Sequence, residues 1–469
     1  MIHGSARASH WLFAIVASAG STAFAGSFQS PNDLVVVRLG AGGSTTIGTT
    51  DAEPVFLDEY DLSGATPTLV NTVSFASSGP NAFTLPSDSN HDALLSRSVD
   101  TYSIVLGGYR ADQGSLDPSA YYSSAAVPRV IASVPNSGVA DTTTALTDSY
   151  DQTSIRGVAT INSKEFWVAG DNGGGLTTSG GLRYVDALGA STSTNLSQVQ
   201  GTGGLHTPDN IRSVGIFGGQ LYDSSGSNTS VGKATFQVGT GLPTSGAQTL
   251  TTLTSGPNST NQFFFADLSP TVSGMDTLYI TTSNGEVLEK WSLNGNTWVM
   301  SPHTMSLNGI ETLTAAVSGS TVTLYAGTSE GIFRYVDATG YNQDIPAGDS
   351  FGSAFIPAAT NTEFRGLAFA PTITGDVNLD GVVNGLDISQ IAGHWLQSGV
   401  GVPGDVNSDG VVNGLDISLI AANWLHTAGG GAGTAVSVPE PSTLALLAAG
   451  LFGGVLQACW RRRFSSIQA

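Results

Sequence analysis

The run Phe364-Arg365-Gly366-Leu367-Ala368-Phe369 closes a long β-rich region, and it reads like a run far upstream, Ile155-Arg156-Gly157-Val158-Ala159. Upstream, that run opens a series. Phe166-Trp167-Val168-Ala169-Gly170 follows it, then Gly181-Leu182-Arg183-Tyr184-Val185-Asp186. The same order returns from Ile310-Glu311-Thr312-Leu313-Thr314-Ala315, through Leu324-Tyr325-Ala326-Gly327, to Gly331-Ile332-Phe333-Arg334-Tyr335-Val336-Asp337. Asp276 to Ile280 with Gly285 to Trp291 fits the same mould. A strand, an aromatic strand and a third strand, parted by glycine turns and repeating every ~40–55 residues, is the pattern of a β-propeller. Candidate units begin near Leu34, Leu94, Ile155, Ile211, Phe263 and Ile310, about six blades. Phe364 to Phe369 is then an opening strand with no unit of its own. It can complete the first unit, whose other strands come from the N-terminal end, which closes the ring and hides two sheet edges. The expected body is mainly β and spans residues 26–371. A β-sandwich pair and a β-solenoid are the alternatives.

Composition agrees. Sixty glycines among many Ser and Thr residues supply tight turns. Only 11% of residues are charged, unlike a disordered chain. The formal charge of −20 and just three lysines in the body, Lys164, Lys233 and Lys290, argue against a nucleic-acid partner, which needs clustered cations. The single cysteine, Cys459, lies near the C-terminus, so the body has no internal disulfide.

After the body come two near-copies, Gly375 to Trp395 (GDVNLDGVVNGLDISQIAGHW) and Gly404 to Trp424 (GDVNSDGVVNGLDISLIAANW). Oxygen-bearing side chains fall at loop positions 1, 3, 5, 9 and 12. They are Asp376, Asn378, Asp380, Asn384 and Asp387 in one copy and Asp405, Asn407, Asp409, Asn413 and Asp416 in the other. Val382 and Val411 at position 7 offer backbone carbonyls, and Gly381 and Gly410 stand where the loop turns sharply. That spacing wraps a loop around a hard cation such as Ca²⁺, so two calcium ions are expected. Without metal the three carboxylates of each loop repel one another, and binding energy becomes folding energy. After each loop, Leu386, Ile388, Ile391, Ala392, Trp395 and Leu396, and their counterparts Leu415, Ile417, Ile420, Ala421, Trp424 and Leu425, predict one apolar helical stripe per copy, the two stripes burying each other. Pro371 to Gly375 is a poor entering helix, so each unit is a loop plus one helix.

This segment resembles a dockerin type I module, a tandem of calcium-loop F-hands. The resemblance implies docking to a cohesin-like receptor. The family's recognition pair at loop positions 10 and 11, often hydroxylic, is here Gly385-Leu386 and Gly414-Leu415. A cohesin-like partner, another surface receptor and an intramolecular clamp all stay open. The module is assigned 372–428, with a glycine-rich linker over 429–437.

The chain ends read as addresses. Residues 1–25 resemble a secretory signal peptide: Arg7 and His10 precede an apolar run, and Ala23-Phe24-Ala25 is a small-residue cleavage site, so the mature chain begins at Gly26. At the other end, Pro439-Glu440-Pro441 precedes an uncharged run from Thr443 to Trp460, then Arg461, Arg462 and Arg463. As a helix that run spans about 27 Å, enough for a thin bilayer, with the arginines cytoplasmic. Residues 438–469 resemble a PEP-CTERM sorting signal. That implies processing by an exosortase, a Gram-negative source, transient inner-membrane anchoring and release to the cell surface or extracellular matrix. A permanent single-span anchor is the alternative.

The body carries no sequence signature of catalysis. His91-Asp92 and His206-Thr207-Pro208-Asp209 place an imidazole near a carboxylate, with no third member at recognisable spacing, and His303 stands alone. Asp171-Asn172-Gly173-Gly174-Gly175 reads as a turn before it reads as a cation loop. Glu53, Asp58 and Glu59 could face a central channel, but read more simply as the polar face of an edge strand. Trp167, Trp291 and Trp298 are expected in core packing rather than on a sugar-binding surface. Two functional classes follow. One is a non-catalytic surface or matrix protein, with polysaccharide among its candidate ligands. The other is a secreted carbohydrate-active enzyme, a hydrolase or lyase, tethered through the calcium module. Two or three carboxylates converging in the channel would favour the enzyme, and a channel lined by Ser, Thr and Gly would favour display.

Overall fold

The computed structural model describes residues 26–427 except 90, 172–178, 201–204, 208–209, 227–231, 255, 257, 400–401 and 408. Its strands are short and pair antiparallel into six blades around an axis, the first two joined in one nine-stranded sheet. From the axis outward, blade 1 runs Glu363–Phe369, Leu34–Leu39, Ala52–Asp61 and Thr68–Ser74. Blade 2 runs Ser96–Arg97, Ser103–Tyr109, Arg129–Pro135 and Asp141–Leu146. Blades 3 to 6 open with Ile155–Ala159, Ile211–Phe217, Thr260–Ala266 and Thr312–Ser318. The short strand Thr84–Pro86 stitches blade 1 to blade 2.

The closing strand behaves as its sequence predicts. Glu363–Phe369 pairs antiparallel with Leu34–Leu39, with Phe369 opposite Leu34 and Glu363 opposite Leu39. The first blade is thus built from both ends of the body, and neither end leaves an open edge.

The Arg-Gly pair in Ile155–Ala159 and Glu363–Phe369 has a steric cause. A Cβ on Gly366 would collide with the Ala93 carbonyl and the Leu95 nitrogen. One on Gly157 would sit 3.0 Å from Ser213 Cα. Inner strands of neighbouring blades pinch together here, with a parallel bridge between Leu94 and Gly157, and only glycine admits the approach.

The core lies between blades. Trp167 is buried with Ile211, Leu221 and Val238 between blades 3 and 4. Trp291 packs with Phe263, Phe265 and Leu278, and Trp298 lies against them. Trp167 and Trp291 are core residues, and Trp298 is half-buried at the margin of that core.

The strand Ala52–Asp61 overturns both readings of its acids. It is neither channel-facing nor an edge, because Leu34–Leu39 flanks it on one side and Thr68–Ser74 on the other. Its carboxylates are buried and spent locally. Asp58 takes Arg38 Nε at 2.5 Å and Thr72 Oγ1 at 2.8 Å, Glu59 takes the Gln29 amide at 2.6 Å, and Glu53 takes the Gly48 amide at 2.6 Å.

The calcium-loop segment adds two short helices, α1 (Gly385–Gly393) and α2 (Gly414–Ala422). Asn384 caps α1 by accepting from the Leu386 amide at 2.8 Å, and Asn413 does the same for α2 through Leu415. The predicted stripes do not bury each other whole. Ile391 and Ile420 are fully buried with Val383 and Val412, whereas Leu386, Trp395, Leu396, Leu415, Trp424 and Leu425 are exposed. Each helix is only nine residues long, so Trp395, Leu396, Trp424 and Leu425 lie beyond its end and leave the helical period that would have turned them inward.

Candidate functional site

The six inner strands surround a channel. Toward their C-terminal ends it narrows to a cavity of about 180 Å³ among Phe217, Phe263, Phe264 and Phe369. Toward their N-terminal ends it opens into a polar mouth of about 440 Å³, lined by Asp88, Asp117, Glu311, Arg212, His91 and Ser283, among others.

One position of the inner strand sends Arg212 and Glu311 into that mouth. It holds Arg156, Arg212, Asn261, Glu311 and Arg365 in five successive blades, at or beside the start of each inner strand. Arg212 Nη1 donates to Asn261 Oδ1 at 2.8 Å and to His91 Nε2. Asn261 Nδ2 donates to Glu311 Oε2 at 2.7 Å, and His91 Nδ1 lies 2.7 Å from the same oxygen. Arg156 donates to Asn210 and lies 3.5 Å from Asp171, and Arg365 lies 2.7 Å from Glu363.

The electrostatics follow from burial. His91 is pushed down to about 2 by burial and then by Arg212, Arg156 and Arg365. It is neutral and accepts from Arg212 on Nε2, which leaves its proton on Nδ1, close to Glu311 but out of line for a hydrogen bond. Burial pushes Glu311 up to about 8 against the pull of the three arginines. Asp88 is raised by burial and by neighbouring Asp117.

The sequence-derived pairs fare unevenly. His91 is not partnered by Asp92, whose carboxyl is buried against Tyr109 Oη (2.6 Å) and Ser89 Oγ (2.8 Å). Its acid is Glu311, from another blade. His303 is exposed. The pairing of His206 with Asp209, and Asn172 to Gly175 after Asp171, lie outside the described residues. The mouth mixes three carboxylates with Arg, His and Ser, so it matches neither simple expectation for the channel. Arg156, Arg212, Asn261 and Arg365 were missed as a set. The signal was present in the column shared by Ile155-Arg156, Ile211-Arg212, Ile310-Glu311 and Phe364-Arg365.

At the other end of the channel sits the calcium-loop module. Thr372 donates its amide to the Thr101 carbonyl at 2.8 Å, and the two threonine hydroxyls meet at 2.8 Å. Tyr102 inserts among Ile373, Val377 and Val402 of the module, and Lys164 donates to the Asn407 carbonyl at 3.1 Å. Within the loops, Gly381 and Gly410 have φ of +83° and +85°, the left-handed turn that position 6 requires. Asp376 accepts from the Asp380 amide at 3.1 Å and the Gly381 amide at 2.9 Å, and Asp405 repeats this with Asp409 and Gly410. Asn378 and Asn407 reach Asp380 and Asp409 at 2.9 Å. Asp387 accepts from the Val377 amide at 2.8 Å and the Asn384 amide at 2.6 Å. Asp416 likewise accepts from Asn407 at 3.1 Å and Asn413 at 2.7 Å. Burial raises Asp376, and nearby Asp387 and Asp380 raise it further. Asp405 is raised in the same way by burial, Asp416 and Asp409. An oxygen-only donor set with crowded negative charge suits a hard dication. Among the described residues no three His, Cys, Asp or Glu side chains alone are placed to share a metal, so amide and carbonyl oxygens would complete the shell.

Of the end signals, Gly26 is described and its carbonyl accepts from Asn71 Nδ2 at 3.0 Å. Ala25, Pro439, Glu440, Pro441 and the expected span lie outside the described residues. Among those described, no helix is long and apolar enough to cross a membrane.

Comparison with known proteins matches these parts separately. The family described as dockerin type I domain matches residues 374–422, and the PEP-CTERM protein-sorting motif matches residues 437–463. The chain thus carries a dockerin module, of a family that binds calcium and docks, ahead of a sorting motif for export to the cell surface. No curated relative matches the chain in sequence. Three solved structures illustrate its similarities. One is from Bacteroides uniformis, provisionally named a 6-phosphogluconolactonase (14% identity, 68% of this chain and 81% of that one, TM-score 0.38). Another is a chain of a nidogen–laminin complex (10%, 71% and 97%, 0.37). The third is a gluconolactonase from Xanthomonas campestris (10%, 62% and 91%, 0.32).

Proposed function

We propose that this is a non-catalytic display protein of the cell surface or extracellular matrix, whose propeller presents a binding mouth and whose dockerin module docks it in a calcium-dependent way. The observation that carries the reading is polarity along the channel. The module leaves from the C-terminal ends of the inner strands, and the polar mouth opens at the other end. A chain held by its C-terminal side keeps that mouth facing away from its attachment.

Two calcium ions are proposed, one held by Asp376, Asn378, Asp380, the Val382 carbonyl, Asn384 and Asp387. The other is held by Asp405, Asn407, Asp409, the Val411 carbonyl, Asn413 and Asp416. The exposed Leu386, Trp395, Leu396, Leu415, Trp424 and Leu425 give two matching apolar faces to a cohesin-like or other surface receptor. Export through a signal peptide ending at Ala25, exosortase cleavage near Pro439-Glu440-Pro441 and a Gram-negative inner membrane as the transient anchor complete the reading. The test is capture from the source organism's envelope and secreted fraction, with calcium and with chelator, beside a chain lacking residues 374–426. A partner retained only with calcium and only with the module supports docking. Retention of nothing in either condition rejects it.

A second reading has its own observation. Asp88, Asp117 and Glu311 share one cavity with His91, and Glu311 holds its proton near neutral pH, as a general acid must. This favours a secreted hydrolase or lyase acting on polysaccharide. New reducing ends or unsaturated ends from neutral or acidic polysaccharides, lost in Glu311→Gln, would replace the display reading with this one.

A further inference from the structure

We propose that the polar mouth of the channel binds a neutral polyhydroxylated ligand of about hexose size. This deepens the reading of the body as a binding unit and rests on it. The cavity of about 440 Å³ is within the usual range for small-molecule sites, and every side chain lining it is polar. An apolar ligand therefore gains little by entering.

Charge excludes two further classes. An anion meets the carboxylates of Asp88 and Asp117 beside Arg212, whose Nη1 is already committed to Asn261 and His91, while Arg156 and Arg365 of the same column are engaged by Asn210, Asp171 and Glu363. A metal ion finds Glu311 engaged by Asn261 and Asp117 Oδ1 engaged by the Ser119 amide and hydroxyl, both within 2.8 Å.

A hydroxyl group does what this lining asks. It donates to a carboxylate while accepting from a guanidinium, amide or hydroxyl, so a polyol satisfies both kinds of group together. The lining supplies both kinds of group, with Arg212, Ser89, Ser119, Ser283 and Asn284 carrying donors and Asp88 and Asp117 carrying acceptors. Asp88 and Asn284 stand exposed at the rim, where a ligand enters.

The test is saturation-transfer NMR with calorimetry on the exported chain in calcium, using glucose, galactose and mannose, with glucuronate, inorganic phosphate and putrescine as the other classes. The expected result is binding of at least one hexose, no competition from the charged compounds, and weakening by about tenfold in Asp88→Asn, the loss of one charge-assisted hydrogen bond. Ser283→Ala, at a smaller side chain, is expected to weaken binding in the same sense. Binding of an anion or of putrescine in place of the hexoses, binding of nothing, or hexose binding unchanged in both variants overturns the proposal. Calcium-dependent capture is read on the same sample. Absent sugar binding with intact capture removes this site alone, and absent capture with intact sugar binding removes the docking reading alone.

Discussion

Asp223 is fully buried in the second strand of blade 4, and neither carboxyl oxygen has a hydrogen-bond partner among the described residues. Burial pushes it up to about 8. The folded protein therefore holds this proton more tightly than the unfolded chain, whose carboxyl titrates near 3.8. Stability from this group is full below about 4 and falls as pH rises toward 8, by about 1.4 kcal/mol per pH unit at most. Urea unfolding across pH 4–8 should show that decline, and Asp223→Asn should flatten it. An unchanged slope would mean that Asp223 is paired or hydrated. Gly366 tests the opposite kind of constraint. Gly366→Ala forces a methyl into the backbone of Ala93 and Leu95, so a loss of about 1–3 kcal/mol is expected in the same assay.

The element that decides the body is the strand Glu363–Phe369. A chain ended after Pro371 should unfold cooperatively and run as a monomer. A chain ended after Asn361 exposes the edge of Leu34–Leu39 and should aggregate or lose cooperativity on size-exclusion and circular-dichroism assays. Equal behaviour of the two would deny the closure. That closure was legible because Phe364-Arg365-Gly366 repeats the wording of Ile155-Arg156-Gly157, and steric demand keeps glycine there. The loop glycines Gly381 and Gly410 were legible for a similar reason, since their turn admits few residues. What lay hidden depended on neighbours distant in the chain. Glu311 finds His91 only after the ring closes, and the acids of Ala52–Asp61 gave no sign that a third strand would cover them. The apolar stripes of α1 and α2 misled because periodicity does not announce where a helix stops.

Across the whole molecule, the module and propeller share side chains. Tyr102 belongs to a blade by sequence and to the module's core by packing. Calcium at about a hundredfold excess over its dissociation constant adds about 2.7 kcal/mol per site to whatever folds with the loops. Calorimetry should therefore show chelator lowering the module's melting in all chains. In the wild type it should also lower protection of the Thr101–Ser103 amides from hydrogen exchange. In Tyr102→Ala that second effect should vanish, and its persistence would show the seat to be incidental. The Thr372–Thr101 pairing has one more consequence. Thr372 stands just after the strand that locks the ring, so any pull on a surface-bound C-terminus would otherwise run straight into that strand and unzip it from Leu34–Leu39. With Thr372 pinned to Thr101 and Tyr102 lodged in the module, tension passes sideways into blade 2 before it reaches the lock. The seat thus acts as a strain relief, and the ring should survive shear that would open it if the module swung free.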